Sequence, residues 1–332
     1  MKRTAYIGFI LGLAAITALV VWQGAGEVGR ALAELGAGVL LFLPVYAVFL
    51  AVGAVSWRLL FEPGHAPGFG PAWLAIWIGP SINTLLPVGT LGGEVVKARV
   101  LTHYGIGAHQ AGGSVVADTT VQALSLVLWG MIGAAVLAWV SADGKLGAIT
   151  LGAMLVFGAG VVTFLLLQRA GALGGIARTV GRWTGRDSSK AVAVLVEFDG
   201  HLRQIYQRPG RVFWATAIRL ASRVVMVTEV WLAAALMGHP ISPWEALMIR
   251  SLSSAVRGAT FFVPNGLGVQ EGAYMMLGAV IGLPPGFSLS MSLAVRAREL
   301  IASVPGLLAW QHIEGRKLRQ LLADTKSEGD GG

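Results

Sequence analysis

The sequence predicts an all-α polytopic membrane protein, with about six full spans and two re-entrant hairpins in an inverted-topology repeat. Three observations support this fold class. Hydrophobic residues make up 55% of the 332 residues and charged residues only 13%, against about 25% charged residues in soluble domains. Long apolar runs recur along the chain, with the length that a helix needs to cross a bilayer. Two further apolar segments are each broken by a Pro-Gly turn, and the two turns share one pattern.

The full spans are predicted from the uninterrupted apolar runs. The first run follows Met1-Lys2-Arg3 and predicts an uncleaved helix, because no small-x-small cleavage site follows and more spans come after it. The chain lacks the alternating pattern of an outer-membrane barrel, so the spans are expected to be helical. The six runs cover residues 5–22, 37–61, 117–140, 146–168, 212–237 and 287–310.

The broken segments, 71–104 and 244–283, contain two copies of the pattern Pro-x-Gly-x-x-x-x-Glu. The copies lie 177 residues apart, since one begins at position 87 and the other at 264. The second and fifth apolar runs are separated by nearly the same number of residues. The shared spacing predicts an internal repeat rather than a chance similarity of turns. The predicted turn residues are Pro87, Gly89, Gly92, Gly93, Pro264, Gly266 and Gly268.

The distribution of charge predicts the domain organisation and the orientation. Residues 169–211 carry eight Lys or Arg residues against three acidic ones, so this basic connector is expected in the cytoplasm. It separates an N-terminal membrane half, 1–168, from a C-terminal half, 212–310, and a tail follows at 311–332. Both termini are predicted to be cytoplasmic, in a bacterial inner membrane.

The count of crossings then predicts how the broken segments enter the membrane. Segment 71–104 must begin and end on the cytoplasmic side, and 244–283 on the outer side, as an inverted repeat requires. Eight full crossings, with each broken segment spanning twice, also satisfy the charge rule. Re-entrant hairpins are favoured because each arm is short for a full crossing.

Charges at membrane depth give the candidate functional residues. Broken backbone inside a bilayer is tolerated where it lines a cavity, and helix N-termini that point into a cavity favour an anion. The second half holds six arginines (219, 223, 250, 257, 296 and 298) against four glutamates (229, 245, 271 and 299), which suits an anionic headgroup. The predicted substrate-binding residues are Glu94, Asp118, Arg219, Arg223, Arg257, Glu271 and Arg296.

Structural roles are the alternative for several of these residues. Glu94 and Glu271 follow the turns closely enough to cap the helices that begin there. Arg296 and Glu299 can form an ion pair on one helix face. Lys97 is predicted to extend its amine toward the membrane surface.

Other function classes are excluded by what the sequence lacks. The chain has no cysteine, which rules out disulfides and thiol catalysis. It has no Walker-type loop for ATP, and its six histidines have no ligand spacing, so neither a cofactor nor a metal is expected. The net charge of +8 is assigned to the positive-inside rule and not to nucleic acid.

Residues 83–99 resemble the first signature of the flippase-like membrane family typified by the transmembrane part of lysylphosphatidylglycerol synthase, and 264–272 resemble its second. Residues 250–259 and 296–311 look most like the hopanoid-biosynthesis-associated branch of that family. The resemblance implies movement of a lipid, hopanoid-related or an anionic phospholipid, between leaflets. It does not extend to the soluble synthase domain of larger relatives, so lysine transfer is not expected.

Two alternatives to a transporter remain open. One is an intramembrane transferase or phosphatase that uses Glu94, Asp118 or Glu271 as acid or base on a lipid headgroup. The other is a non-catalytic partner of lipid- or hopanoid-synthesis enzymes. A labelled lipid separates them, because a transporter changes its leaflet, an enzyme changes its mass, and an assembly partner does neither alone.

Overall fold

The computed structural model describes Ala33 and residues 35–86, 90–141, 144–169, 204–260 and 263–329, which form helices and the turns between them. The predicted all-α class is confirmed over this part of the chain. A 3-10 turn over Gly36–Leu41 leads into helix α1, Phe42–Arg58. The later helices are α2 Phe69–Leu85, α3 Thr90–His103, α4 Ala108–Val140, α5 Gly144–Arg169, α6 Pro209–Val225, α7 Val227–Leu236, α8 Pro243–Ala259, α9 Val269–Val280 and α10 Pro285–Gly329.

Three described segments are long and apolar enough to cross a membrane, which supports a membrane protein. They are Gly36–Arg58, Ala108–Val140 and Lys145–Thr163, and they overlap the second, third and fourth predicted spans. The first predicted span, 5–22, lies outside the described residues, as does most of the basic connector. The count of six full spans stays a prediction.

Helix α4 begins at Ala108 and not at residue 117. His109, Gln110 and two glycines lower the hydropathy of this stretch, which hid its helical continuity. Asp118 was expected to open the span. It lies instead about three turns inside the helix, at 3.6 residues per turn, where it can contact neighbours on several sides.

Two other helices differ from their predicted bounds. The run 212–237 is divided into α6 and α7, which meet at Met226 within a stretch of β-branched residues of lower helix propensity. Helix α10 continues past residue 310 to Gly329, because the predicted tail is rich in strong helix formers such as Leu, Lys, Arg and Gln.

Each broken segment forms two helices that contact each other, α2 with α3 and α8 with α9. Helix α2 has 17 residues and α9 has 12, or about 26 and 18 Å at 1.5 Å per residue. Both are shorter than a hydrocarbon core of roughly 30 Å. In the second turn, Asn265 and Gly268 have φ angles of 52° and 80°, in the left-handed region.

The two halves pack reciprocally. Helix α2 of the first hairpin lies against α10 of the second half, and α8 of the second hairpin lies against α4 of the first. A glycine permits close approach at both contacts, since a Cβ added at Gly306 would collide with Ser81 and one added at Gly133 would collide with Ser251. Helices α1 and α6 also contact each other, across the two halves.

The apolar core consists of two clusters with polar residues between them. One cluster includes Trp57, Ile78 and Ala215, and the other includes Val230 and Val295. On three helices the charged positions lie between the two clusters along the chain. On α6 and α7 they fall between Ala215 and Val230, and on α10 they follow Val295 directly. Asp118 and Arg250 are instead flanked by residues of a single cluster, so the ionic groups lie within the apolar core as well as between its two parts.

Candidate functional site

Asp118 on α4 is the centre of the ionic contacts of the first half, and it is fully buried. Its Oδ2 accepts from Lys97 Nζ at 2.7 Å and from Gln122 Nε2 at 3.0 Å, while Oδ1 accepts from Arg219. One carboxylate thus joins α4 to α3 and α6. The close approach of Arg219 depends on Gly53 of α1, where a Cβ would collide with the guanidinium.

Lys97 does not extend to the membrane surface, so that prediction was wrong. Its amine is buried, lies 2.9 Å from Glu94 Oε2 and sits over the ring of Trp57. Burial is possible because Gly79 of α2 leaves room for the aliphatic part of the side chain, which a Cβ at that position would strike. Two carboxylates and an aromatic face offset the cost of removing the amine from water.

Glu271 performs the capping role that was the alternative to a place in the site. Its Oε2 accepts from the backbone amide of Gly268 at 2.8 Å, and Oε1 accepts from Arg296 Nε at 2.6 Å. Arg296 also donates to the carbonyl oxygens of Asn265 and Gly266, each at 2.9 Å. These bonds satisfy the broken backbone of the second turn, as burial at membrane depth requires.

Arg257 on α8 completes this second group. Its Nη1 donates to Glu299 Oε1 at 2.7 Å and to Gln270 Oε1 at 2.9 Å, and its Nη2 donates to Asn265 Oδ1 at 2.6 Å. The predicted pairing of Arg296 with Glu299 is confirmed at 3.7 Å, a longer contact than the one Arg296 makes with Glu271.

A third group is centred on Glu229 of α7, which is fully buried. Both its oxygens accept from Arg298, at 2.6 and 3.0 Å. Arg298 in turn lies over the ring of Tyr46 on α1. Arg250 of α8 is a second and weaker partner of Glu229, with Nη2 3.7 Å from Oε2.

Arg223 links the first and third groups without a carboxylate of its own. It donates from Nε to Ser125 Oγ at 3.1 Å and from Nη2 to the Gln122 carbonyl oxygen at 3.0 Å. Its charged neighbours are the cations Arg219 and Arg250. Among the described residues, no carboxylate lies within ion-pairing distance of it.

The described residues of these groups therefore contain more cations than carboxylates. The five carboxylates can be matched one to one with cations that contact them: Glu94 with Lys97, Asp118 with Arg219, Glu229 with Arg298, Glu299 with Arg257, and Glu271 with Arg296. Arg223 and Arg250 are the two cations left over. Both are partly buried, where a charge is costly unless it is compensated.

The predicted site residues thus fall into two sets, with one residue outside both. Glu94, Asp118 and Arg219 come together around the first hairpin, while Arg257, Glu271 and Arg296 come together at the second turn. Arg223 stands apart from both sets. No contact between the two sets is found among the described residues.

The structure adds five charged residues that were not selected from the sequence. The four of them that lie in the second half had been counted among the charges at membrane depth. Hydropathy could mark such charges, but it could not show which of them lack a partner. The added residues are Lys97, Glu229, Arg250, Arg298 and Glu299.

The predicted turn residues have mixed outcomes. Pro87 and Gly89 lie outside the described residues. Gly92 and Gly93 lie in α3, and Gly93 donates its amide to Asn83 Oδ1 at 2.7 Å and permits the close contact with Gly79. In the second turn, Pro264 and Gly266 form a short 3-10 turn and Gly268 caps α9.

The chemistry available at this site is that of guanidinium groups. A planar guanidinium binds phosphate or carboxylate through two parallel N–H donors. Within the described residues, no group of three His, Asp or Glu side chains is placed to hold a metal ion.

A comparison with protein families matches residues 9–306 to the model described as the transmembrane region of lysylphosphatidylglycerol synthase. Comparisons with curated proteins and with solved structures give no match.

Proposed function

Because the chain belongs to the family of lysylphosphatidylglycerol synthase transmembrane regions, we propose that it moves an anionic lipid between the leaflets of a bacterial inner membrane. The family match covers most of both membrane halves, and it relates the chain to lipid handling in a membrane. Our proposal adds three points to the family match: that the lipid moves between leaflets, which lipid it is, and that the membrane is the inner one.

The surplus of arginine among the ionic groups is the observation that carries the proposal. Arg223 and Arg250 are charged neighbours. Arg223 has no carboxylate partner among the described residues, and Arg250 has only the 3.7 Å contact with Glu229, which Arg298 holds more closely. A lipid phosphate between them would supply the missing negative charge and accept from both guanidinium groups. Transporters built from inverted repeats bind their substrates near this depth, between the repeats.

The packing of the helices also supports a transporter. The reciprocal contacts of α2 with α10 and of α8 with α4 are those that two inverted repeats would make. Such an arrangement lets one half rock against the other around a site in the middle. Re-entrant hairpins and cytoplasmic termini belong to the same proposal.

An enzyme is less well supported by the geometry. The candidate acids and bases Glu94, Asp118 and Glu271 each accept from a cation at close range. These contacts occupy the carboxylate oxygens that would have to reach a substrate proton. The same groups also tie helices together, which gives them a structural role without catalysis.

The charge of the site bears on the class of lipid. The resemblance of residues 250–259 to the hopanoid-associated branch favours a hopanoid, and it also favours hopanoid-synthesis enzymes as partners. A hopanoid need not carry a charge, whereas a cluster with two more cations than carboxylates favours an anion. We therefore propose a phosphate-bearing lipid or an anionic hopanoid derivative as the substrate.

A leaflet assay tests the proposal. Proteoliposomes would carry fluorescent phosphatidylglycerol or phosphatidylcholine, and an impermeant quencher would measure the fraction in the outer leaflet. The wild type should move phosphatidylglycerol faster than protein-free vesicles do. Arg223→Gln and Arg250→Gln should each slow this movement about tenfold or more, the loss expected for one charge-assisted hydrogen bond.

Two controls make the result specific. Arg223→Lys should also slow transport, since an amine cannot reproduce the guanidinium fork. Arg99→Gln, which removes an exposed cation paired with Glu314, should leave it unchanged. Transport no faster than in protein-free vesicles would refute the proposal, and a change in the mass of the lipid would favour the enzyme.

A further inference from the structure

A pocket at one end of the bundle lies apart from the ionic groups described above. It is formed by the residues that follow α1, by the first turns of α4, and by the residues that lead into α6. Its polar lining comprises Ser114 and six larger side chains, Glu62, His65, Gln110, Gln204, Arg208 and Arg211. All three segments are predicted to be cytoplasmic. The first two flank the first hairpin, and the third is the end of the basic connector.

We propose that this pocket is a second anion site, which binds a phosphate group at the cytoplasmic surface. Two arginines face one glutamate across it, so the lining has a positive balance even with a neutral histidine. Basic pockets between transmembrane helices on this side of a membrane are suited to lipid headgroups. The site is separate from the transport site and does not depend on it.

The arginines of the pocket keep donors free for a ligand. Arg211 donates from Nη1 to the Phe61 carbonyl oxygen at 2.7 Å, which fixes the side chain over the pocket. A guanidinium has five N–H donors, so most of those on Arg211 remain for an anion. Among the described residues, the side chain of Arg208 makes only a long contact with Glu62, at 3.4 Å between two exposed side chains, and an incoming phosphate can replace this contact.

The size of the pocket limits its ligand to a small group. Its volume is about 160 Å³, whereas pockets for drug-sized molecules measure roughly 300–1,000 Å³. A phosphate with its attached glycerol fits this space, but a whole lipid does not. The remaining wall is apolar, with Leu59, Leu60 and Ile205, and this surface can accept the start of an acyl chain.

A fluorescent reporter beside the pocket can measure binding. The chain has no cysteine, so a single Ala66→Cys next to His65 can carry an environment-sensitive dye. The labelled full chain in detergent would be titrated with glycerol 3-phosphate, with dihexanoyl phosphatidylglycerol, and with a phosphate-free hexanoyl glycerol. We expect a saturable signal from a phosphate-bearing probe and none from the phosphate-free one.

The variants assign the signal to the pocket. Arg208→Gln removes an exposed side chain with little structural role and should weaken binding about tenfold. Arg211→Lys should weaken it as well, because the fork is lost while the charge is kept. Lys145→Gln, in the first turn of α5, is the matched loss of a cation elsewhere and should leave binding unchanged. Arg223→Gln should slow transport and leave this signal unchanged, which separates the two sites.

The two phosphate probes distinguish the source of the ligand. Binding of the phosphatidylglycerol alone supports a lipid headgroup, and equal binding of glycerol 3-phosphate supports a soluble phosphate ester. The proposal is overturned by a signal that the phosphate-free probe matches, by the absence of saturation, or by binding that Arg208→Gln and Arg211→Lys both leave intact.

Discussion

Removal of the Asp118 carboxylate should destabilise the protein more than the loss of any exposed ion pair. In Asp118→Asn the amine of Lys97 and the guanidinium of Arg219 lose their shared anion in a fully buried position. The loss of one partner of a buried pair costs about 3–5 kcal/mol, because a charge is left uncompensated. Lys97 keeps Glu94 at 2.9 Å, so we expect the lower end of this range.

Equilibrium unfolding in mixed detergent micelles can measure this loss. The matched control is Glu314→Gln, which breaks an exposed pair with Arg99 worth about 0–1 kcal/mol. The double variant Asp118→Asn/Arg219→Gln removes both charges and should recover part of the stability. Equal losses in Asp118→Asn and Glu314→Gln, or a double variant as unstable as the sum of the single ones, would refute the account of the buried network.

Three further predictions concern packing, topology and pH. Gly133→Ala and Gly306→Ala should each lower the thermal midpoint, because the new Cβ collides with a serine of the opposite hairpin, while Gly152→Ala, which has open space, should not. In the cysteine-free chain, labels at Ala66→Cys and Gly107→Cys should react from one side of the membrane, and labelling from opposite sides would contradict the first hairpin. Glu314 lies beyond the predicted span, and the hydrogen bond from Arg99 lowers its pKa. The Glu314 carboxylate should therefore contribute fully to stability above the ordinary pKa of 4.5. This contribution should be lost as the pH falls through the lowered pKa. Glu314→Gln should remove this dependence, and an unchanged acid transition in that variant would contradict the assignment.

Hydropathy and the Pro-Gly turns were sufficient to predict the helical class and the paired helices of both broken segments. These features depend on local composition, which a sequence displays directly. The helix bounds were less predictable. Asp118 and the polar residues before it lower the average hydropathy of a continuous helix, and the strong helix formers after residue 310 extend α10 beyond the apolar run.

The partners of the charged residues could not be predicted from spacing. Asp118 and Arg219 are 101 positions apart, and Glu229 and Arg298 are 69 apart. Periodicity places a residue on a helix face but does not say which helix lies opposite. Lys97 shows the consequence, since its distance from the middle of its segment predicted exposure, whereas the packing of α2 and α4 buries it.

The same limit explains why the candidate site had to be revised. An excess of arginine over glutamate was visible in the second half of the sequence. Which arginines carry the excess depends on tertiary contacts, and these neutralise Arg219, Arg257 and Arg296. The structure leaves Arg223, which the sequence had selected, and adds Arg250, which it had only counted.

Native mass spectrometry of the purified protein tests most directly whether Arg223 and Arg250 hold an anionic lipid. The test is made in the Arg208→Gln background, in which the separate cytoplasmic pocket is weakened. This protein should retain a phosphate-bearing lipid through mild detergent, and the addition of Arg223→Gln/Arg250→Gln should remove it. The addition of Arg99→Gln should leave the bound lipid unchanged. An uncharged hopanoid as the bound lipid, or an anionic lipid that remains bound after the addition of Arg223→Gln/Arg250→Gln, would contradict the account.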